Sequence, residues 1–164
     1  MKALIISISL VLVLMYQVQD IASLIHPVKS SQIQQNPLQT AAIKLGIGDP
    51  GEKVLRAVEI ASRQTGLSEP FILALIFTES GFDPKAISRK NYKGLLQIPY
   101  AVYYEDANVL IGAWIFMEKL RITNGNFKKA VIIYKGYPLT DQRGHQQADK
   151  VLKLTKQIKE KCDV

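Results

Sequence analysis

Cysteine and histidine are scarce in this 164-residue chain, which has one Cys and two His. Cys162 has no second cysteine for an intramolecular disulfide and no neighbouring Cys or His for a metal site. His26 and His145 lie far apart in the sequence and are expected to be surface residues. These counts exclude a disulfide-stabilised scaffold and indicate neither a metal nor a cofactor.

Acidic residues are also in deficit, since 14 Asp and Glu face 21 Lys and Arg, which gives a net charge of +7. A basic protein is suited to an anionic partner, which includes nucleic acid, a membrane surface or an acidic polymer. Apolar residues make up 48% of the sequence, which excludes wholesale disorder. The length allows one compact domain with a short appendage.

The chain has one long hydrophobic run, residues 3–16, which follows Met1 and Lys2. This run is long enough for the core of a signal peptide, but shorter than the roughly 20 residues that span a bilayer. We predict that residues 1–23 are a signal peptide or an N-terminal membrane anchor. The protein is then expected in the periplasm or on the extracytoplasmic face of the inner membrane.

Residues 24–48 are polar and rich in glutamine, which predicts a tether with a short helical turn near residues 40–45. The globular domain is predicted at residues 49–164. Its hydrophobic residues recur at helical spacing, and strand-like alternation is scarce. We therefore predict a mainly α domain, with a small irregular hairpin in residues 90–104. The predicted helices begin near residues 49, 68, 106, 126 and 146.

Glu79 stands out in the second predicted helix. Ile72, Leu75 and Ile76 form an apolar stripe, and three residues further the stripe reaches Glu79. A glutamic acid that burial keeps protonated near neutral pH is what a general acid for glycosidic cleavage requires. From the spacing alone, a half-solvated carboxylate that merely ends the helix is the favoured interpretation, because helix-terminal carboxylates are common.

Four segments around and after Glu79 resemble the soluble lytic transglycosylase (SLT) domain, a lysozyme-like family related to goose-type lysozyme. Residues 79–88 (ESGFDPKAIS) resemble the segment around that family's catalytic glutamate. The other three segments occur in the family's order. They are residues 94–99 (GLLQIP), 106–112 (DANVLIG) and 130–136 (AVIIYKG).

This resemblance implies a lysozyme-like helical fold and cleavage of peptidoglycan glycan strands without a cofactor or metal. Glu79 would protonate the oxygen between N-acetylmuramic acid (MurNAc) and N-acetylglucosamine (GlcNAc). It would then act as base on the MurNAc C6 hydroxyl, which closes onto C1 to form a 1,6-anhydro end. One carboxylate suffices because the nucleophile is intramolecular.

The resemblance also implies supporting residues, namely Ser80, Gly94, Leu95, Gln97, Asn108 and Tyr134. Ser80 would orient Glu79 or the substrate, and Gln97 would bind a sugar, with Gly94 allowing close approach of the backbone. Asn108 would cap its helix or contact the glycan, and capping is the favoured role. Tyr134 would place its hydroxyl near the Glu79 carboxyl. The tyrosines at 92, 100, 103 and 104 are candidates for stacking on sugars.

Three positions depart from the family pattern: Leu96 replaces methionine, Ile133 replaces alanine and Lys135 replaces asparagine. Leu for Met conserves volume. The departures concern the shape of the substrate cleft more than the chemistry of Glu79.

Other functions stay open at this level. A hydrolytic muramidase would need a second carboxylate, and Asp83 is more simply a turn residue before Pro84. A non-catalytic peptidoglycan-binding assembly factor would not need Glu79. Nucleic-acid binding is disfavoured because the lysines of the last helix are spread around a solvated face. Expected partners are glycan strands, the inner membrane through the N-terminus, and a secretion, conjugation or pilus machine for which the enzyme opens gaps.

Overall fold

The computed structural model of the protein describes residues 36–100, 102 and 104–163. The predicted signal peptide or anchor at residues 1–23 and the tether residues 24–35 lie outside this part. None of the helices in the described part combines the length and the apolar character that a membrane span requires.

The described residues form six α-helices. They are α1 (Pro37–Lys44), α2 (Gly51–Thr65), α3 (Glu69–Ser80), α4 (Glu105–Ile122), α5 (Phe127–Tyr134) and α6 (Gln142–Cys162). The predicted mainly α fold is confirmed. In place of a regular hairpin, the segment between α3 and α4 has two isolated antiparallel bridges, which pair Lys93 with Ile87 and with Ile98.

Helix α3 is the central element of the fold. Its residues 71–76 are all buried, so the helix is apolar on every side rather than along the single stripe that the sequence predicts. It packs against α2 and α6. Pro70 lies in its first turn, and Gly81 ends it in the left-handed conformation with φ 62°. Glu79 therefore lies in the last turn, where a buried helix reaches the surface.

Helix α6 is the longest element and contacts α1, α3 and α5. Its buried residues, Ala148, Val151, Leu154 and Ile158, follow helical spacing. It begins one turn earlier than predicted, because the Asp141 side chain accepts a hydrogen bond from the Arg143 N–H at 2.8 Å.

Helix α1 corrects the predicted domain boundary at residue 49. The Asn36 side chain caps the helix by accepting from the Leu38 N–H at 2.9 Å. Leu38, Ala41 and Ala42 are buried, and the helix packs mainly on α6. Residues 36–44 are thus not part of a tether, and the compact unit begins at Asn36.

We predict that Leu38→Ala lowers the free energy of unfolding by about 2–3 kcal/mol, because it empties a buried site. Ile43→Ala removes a side chain of similar size that is 51% exposed. This control should change stability by less than about 1 kcal/mol. Chemical denaturation measures both, and equal small effects would show that α1 does not contribute to the core.

Candidate active site

Glu79 is held in an ion pair at the end of α3. Its Oε1 lies 2.7 Å from the Lys135 Nζ, and the two side chains are only 14% and 7% exposed. The Lys135 ammonium also donates to the Thr78 carbonyl oxygen at 3.3 Å. Lys135 directly follows α5, whose residues 130–132 are buried. The packed helix therefore fixes the backbone position of Lys135. The Glu79 carboxyl is thus largely shielded from water and charge-paired.

Glu79 lines a cleft of about 950 Å³, a size that is typical of ligand sites. The cleft is formed by the end of α3, the segment 88–100, one side of α4 and the residues around the end of α5. Its charged lining residues are predominantly basic and comprise Arg89, Lys90, Lys119, Lys135 and Arg143, with the carboxylates Glu79 and Glu118.

Asn108, a residue of α4, holds the loop that follows α3 through two hydrogen bonds. Its side chain is buried, and its Oδ1 accepts from the Leu96 N–H while its Nδ2 donates to the Lys93 carbonyl, both at 3.0 Å. Gly94 lies against it with φ 78°, and a Cβ at that position would overlap the amide nitrogen of Asn108. The close approach that Gly94 permits is therefore to Asn108 rather than to substrate.

The role expected for Asn108 is also corrected. Helix α4 begins three residues earlier, at Glu105, so Asn108 does not cap it, and its buried amide is used by the loop rather than presented to a glycan. Leu95 and Leu96 belong to the core. Leu96 contacts α4 at Gly112. A Cβ added at position 112 would lie only 2.5 Å from the Cβ of Leu96.

Tyr134 contacts the same loop. Its hydroxyl donates to the Leu96 carbonyl at 2.8 Å, and its expected position near the Glu79 carboxyl stays a prediction. Burial raises the pKa of Tyr134 well above its usual value, and the negative charge of Glu79 adds to this effect. The hydroxyl therefore keeps its proton and remains a hydrogen-bond donor.

Gln97 lines the cleft together with Glu79. Its backbone has φ 47°, a conformation that is uncommon for a residue with a side chain. Its amide nitrogen donates to the carbonyls of Gly94 at 2.8 Å and Ala86 at 3.1 Å. These bonds fix the side chain and leave the amide oxygen to accept from a ligand hydroxyl.

Ser80 does not take part in this arrangement in the structure. Its hydroxyl donates to the Ile76 carbonyl of its own helix at 3.1 Å, and it is not among the residues that line the cleft. Its expected role in orienting Glu79 has no contact here to support it.

Two of the four candidate tyrosines, Tyr92 and Tyr100, line the cleft and are 40% and 61% exposed. Tyr104 lines a separate, smaller depression, and Tyr103 lies outside the described residues. Tyr137 is a cleft residue that the sequence did not predict. Its position directly after the fourth motif is the signal that could have identified it.

A second carboxylate in the cleft, Glu118, was also not predicted. Both of its oxygens accept from Arg121, at 2.8 and 3.0 Å, and this guanidinium lowers the pKa of Glu118. Asp83 forms a turn by accepting from the Lys85 N–H at 2.8 Å, as predicted. Within the part of the chain that the structure describes, no group of three or more His, Cys, Asp and Glu side chains could hold a metal ion.

Comparison with known families adds independent evidence about this region. Residues 56–103 match the family model described as the transglycosylase SLT domain. This stretch is therefore similar to the transglycosylase SLT domain over its matched residues. The SLT match includes Glu79 and Gln97, whereas Asn108, Tyr134 and Lys135 lie beyond the matched residues.

The chain is also similar, over part of its length, to two proteins named membrane-bound lytic murein transglycosylase C. The protein from Edwardsiella ictaluri is 40% identical over 62 residues, and that from Pectobacterium atrosepticum is 39% identical over 62 residues. Each alignment covers 38% of this chain and 17% of the relative, so the chain matches about a sixth of the length of these relatives. No solved structure matches the chain.

We predict that Asn108→Ala lowers the free energy of unfolding by about 2–4 kcal/mol, because the buried Leu96 N–H and the partly buried Lys93 carbonyl lose their partner. Asp106→Ala, in the same helical turn, removes only an exposed ion pair with Arg56. This control should cost less than about 1 kcal/mol in thermal or chemical denaturation. Equal effects of the two variants would contradict the role of Asn108 in holding the loop.

Proposed function

We propose that this protein is a peptidoglycan lytic transglycosylase and that Glu79 is its catalytic acid and base. The observation that carries the proposal is the position of Glu79, which lies within the SLT match and lines a cleft of ligand size. The basic lining supports an acidic polymer as substrate.

The reaction begins with a protonated Glu79 and a glycan strand in the cleft. Glu79 gives its proton to the oxygen of the MurNAc–GlcNAc bond, the bond to MurNAc C1 breaks, and GlcNAc leaves with a free hydroxyl. The Glu79 carboxylate then takes the proton of the MurNAc C6 hydroxyl, whose oxygen bonds to C1. The products are a 1,6-anhydro-MurNAc end and a protonated Glu79, and no water is consumed.

The charge distribution supports a mechanism with one catalytic carboxylate. Most glycosidases use two carboxyl groups, either as acid and nucleophile or as acid and base for water. The other cleft carboxylate, Glu118, is half exposed and bonded through both oxygens to Arg121. An internal hydroxyl as nucleophile removes the need for a second catalytic carboxylate.

The remaining cleft residues bind and position the substrate. The amide oxygen of Gln97 accepts from a sugar hydroxyl, and the exposed rings of Tyr92 and Tyr100 provide apolar surface for sugar rings. Tyr134 acts indirectly. Its hydroxyl donates to the Leu96 carbonyl and thereby helps to position the next residue, Gln97. Ser80 supports the end of α3 through its bond to Ile76.

The proposed location is the extracytoplasmic face of the inner membrane or the periplasm, where the substrate lies. The apolar run at residues 3–16 supports export, and the similar proteins are named membrane-bound. A role in opening gaps in the cell wall for an envelope-spanning machine is compatible with a chain that has one small described domain.

Glu79→Gln should reduce the release of anhydro-muropeptides from purified peptidoglycan by at least about 100-fold, because the amide cannot transfer a proton. Glu160→Gln alters an exposed carboxylate on α6 and should leave the rate unchanged. Mass spectrometry of the soluble products measures both. Anhydro ends released at the wild-type rate by Glu79→Gln would refute the assignment of the catalytic residue.

The same digestion tests the alternative that the protein is a hydrolytic muramidase. Glu118 is the candidate for the second carboxylate that such a hydrolase needs, because it lines the cleft. A hydrolase would leave reducing MurNAc ends, and Glu118→Gln would then abolish activity. The lytic mechanism predicts anhydro ends from Glu118→Gln as well as from the wild type.

A further inference from the structure

The Lys135 ammonium donates to the Glu79 carboxylate and to the Thr78 carbonyl. An ammonium can donate three hydrogen bonds. Lys135 also lines the cleft. It is therefore placed to donate to a ligand while it contacts the proposed catalytic residue.

The ion pair conflicts with the first step of the proposed reaction. A general acid must reach the glycosidic oxygen with one of its carboxyl oxygens. In the structure, Oε1 of Glu79 is instead held by the Lys135 ammonium at 2.7 Å. Before the reaction starts, the ammonium needs a different anionic partner.

A carboxylate on the ligand resolves this conflict. It can accept the hydrogen bond that Lys135 now gives to Glu79, so that the ammonium keeps an anionic partner in a shielded site. Binding of such a ligand would free Oε1 of Glu79 to approach the glycosidic oxygen.

The surroundings of Lys135 favour an anionic ligand. The Lys90 ammonium lies against Gly136, since a Cβ at position 136 would be 3.7 Å from the Lys90 Nζ. Arg89, Lys119 and Arg143 line the same cleft. Both lining carboxylates, Glu79 and Glu118, have cationic partners already, so the cleft as a whole attracts negative charge.

We propose that Lys135 is a specificity-determining residue that binds a carboxylate of the muramyl unit and thereby releases Glu79 from its ion pair. The identity of the sugar rests on the proposed function, whereas the negative charge of the ligand rests on the cleft alone. The carboxylate belongs either to the lactyl group of unsubstituted MurNAc or to the stem peptide. A neutral glycan leaves the ion pair intact.

The test is a titration of the full chain with the disaccharide GlcNAc–MurNAc, followed by NMR or calorimetry. This disaccharide lacks the MurNAc–GlcNAc bond, so binding is measured without turnover. Three probes are compared: the free lactyl acid, its neutral methylamide, and the peptide-bearing form. A charged probe should bind about tenfold more tightly than the methylamide, and the charged probe that does so identifies the source of the carboxylate.

Variants of Lys135 assign the preference to this side chain. Lys135→Met should bind charged and neutral probes equally, whereas Lys135→Arg should retain the preference. Lys150→Met removes an exposed charge on α6, outside the cleft, and should behave as wild type. Thermal unfolding of each variant verifies that the fold is intact.

The inference is overturned by the wild type alone if it binds all probes equally or binds none of them. A preference that survives in Lys135→Met overturns it as well. These outcomes are independent of the muropeptide analysis. A wild type that forms anhydro ends but ignores ligand charge retains the proposed function alone. A wild type that prefers the charged probe but forms no anhydro ends retains only the role of Lys135.

Discussion

The cleft depends on the buried side chain of Asn108, which joins the loop 93–96 to α4 through two hydrogen bonds. Gly94 gives this amide room, and Tyr134 holds the Leu96 carbonyl from the side of α5. A buried amide whose donor and acceptor are both used specifies one loop conformation, because any other leaves buried polar groups unpaired. Gln97 follows directly and receives its position in the cleft from this arrangement.

The second constraint is the electrostatic balance at Glu79. A carboxylate that is only 14% exposed needs a partner, and Lys135 supplies it from the end of a different helix. The pair connects the end of α3 to the end of α5. Because the partner is a cation within a basic cleft, an anionic ligand can compete with Glu79 for the Lys135 ammonium, as we propose.

The mainly α fold and the choice of Glu79 as the candidate site residue could be predicted from the sequence. Helical spacing, the glycine at position 81 and four ordered motifs are all local signals. For α1 only a short helical turn within a tether was predicted. Its packing against the core was missed because alanines at positions 41 and 42 do not stand out against a polar segment, although both are buried. The contacts of Asn108, Tyr134 and Lys135 join residues that are 12 to 57 positions apart. Such contacts depend on packing that no local pattern encodes. Asn108, which was expected chiefly to cap its helix, and Tyr134, which was expected near Glu79, therefore both prove to hold the loop.

The most direct test of the account is a crystal structure of the Glu79→Gln variant with a MurNAc-containing tetrasaccharide. We predict that the glycan occupies the cleft. The MurNAc–GlcNAc oxygen should lie within hydrogen-bonding distance of the side chain at position 79, and a sugar hydroxyl should donate to the Gln97 amide oxygen. A glycan bound away from position 79, with the cleft empty, would contradict the assignment of Glu79 as the acid.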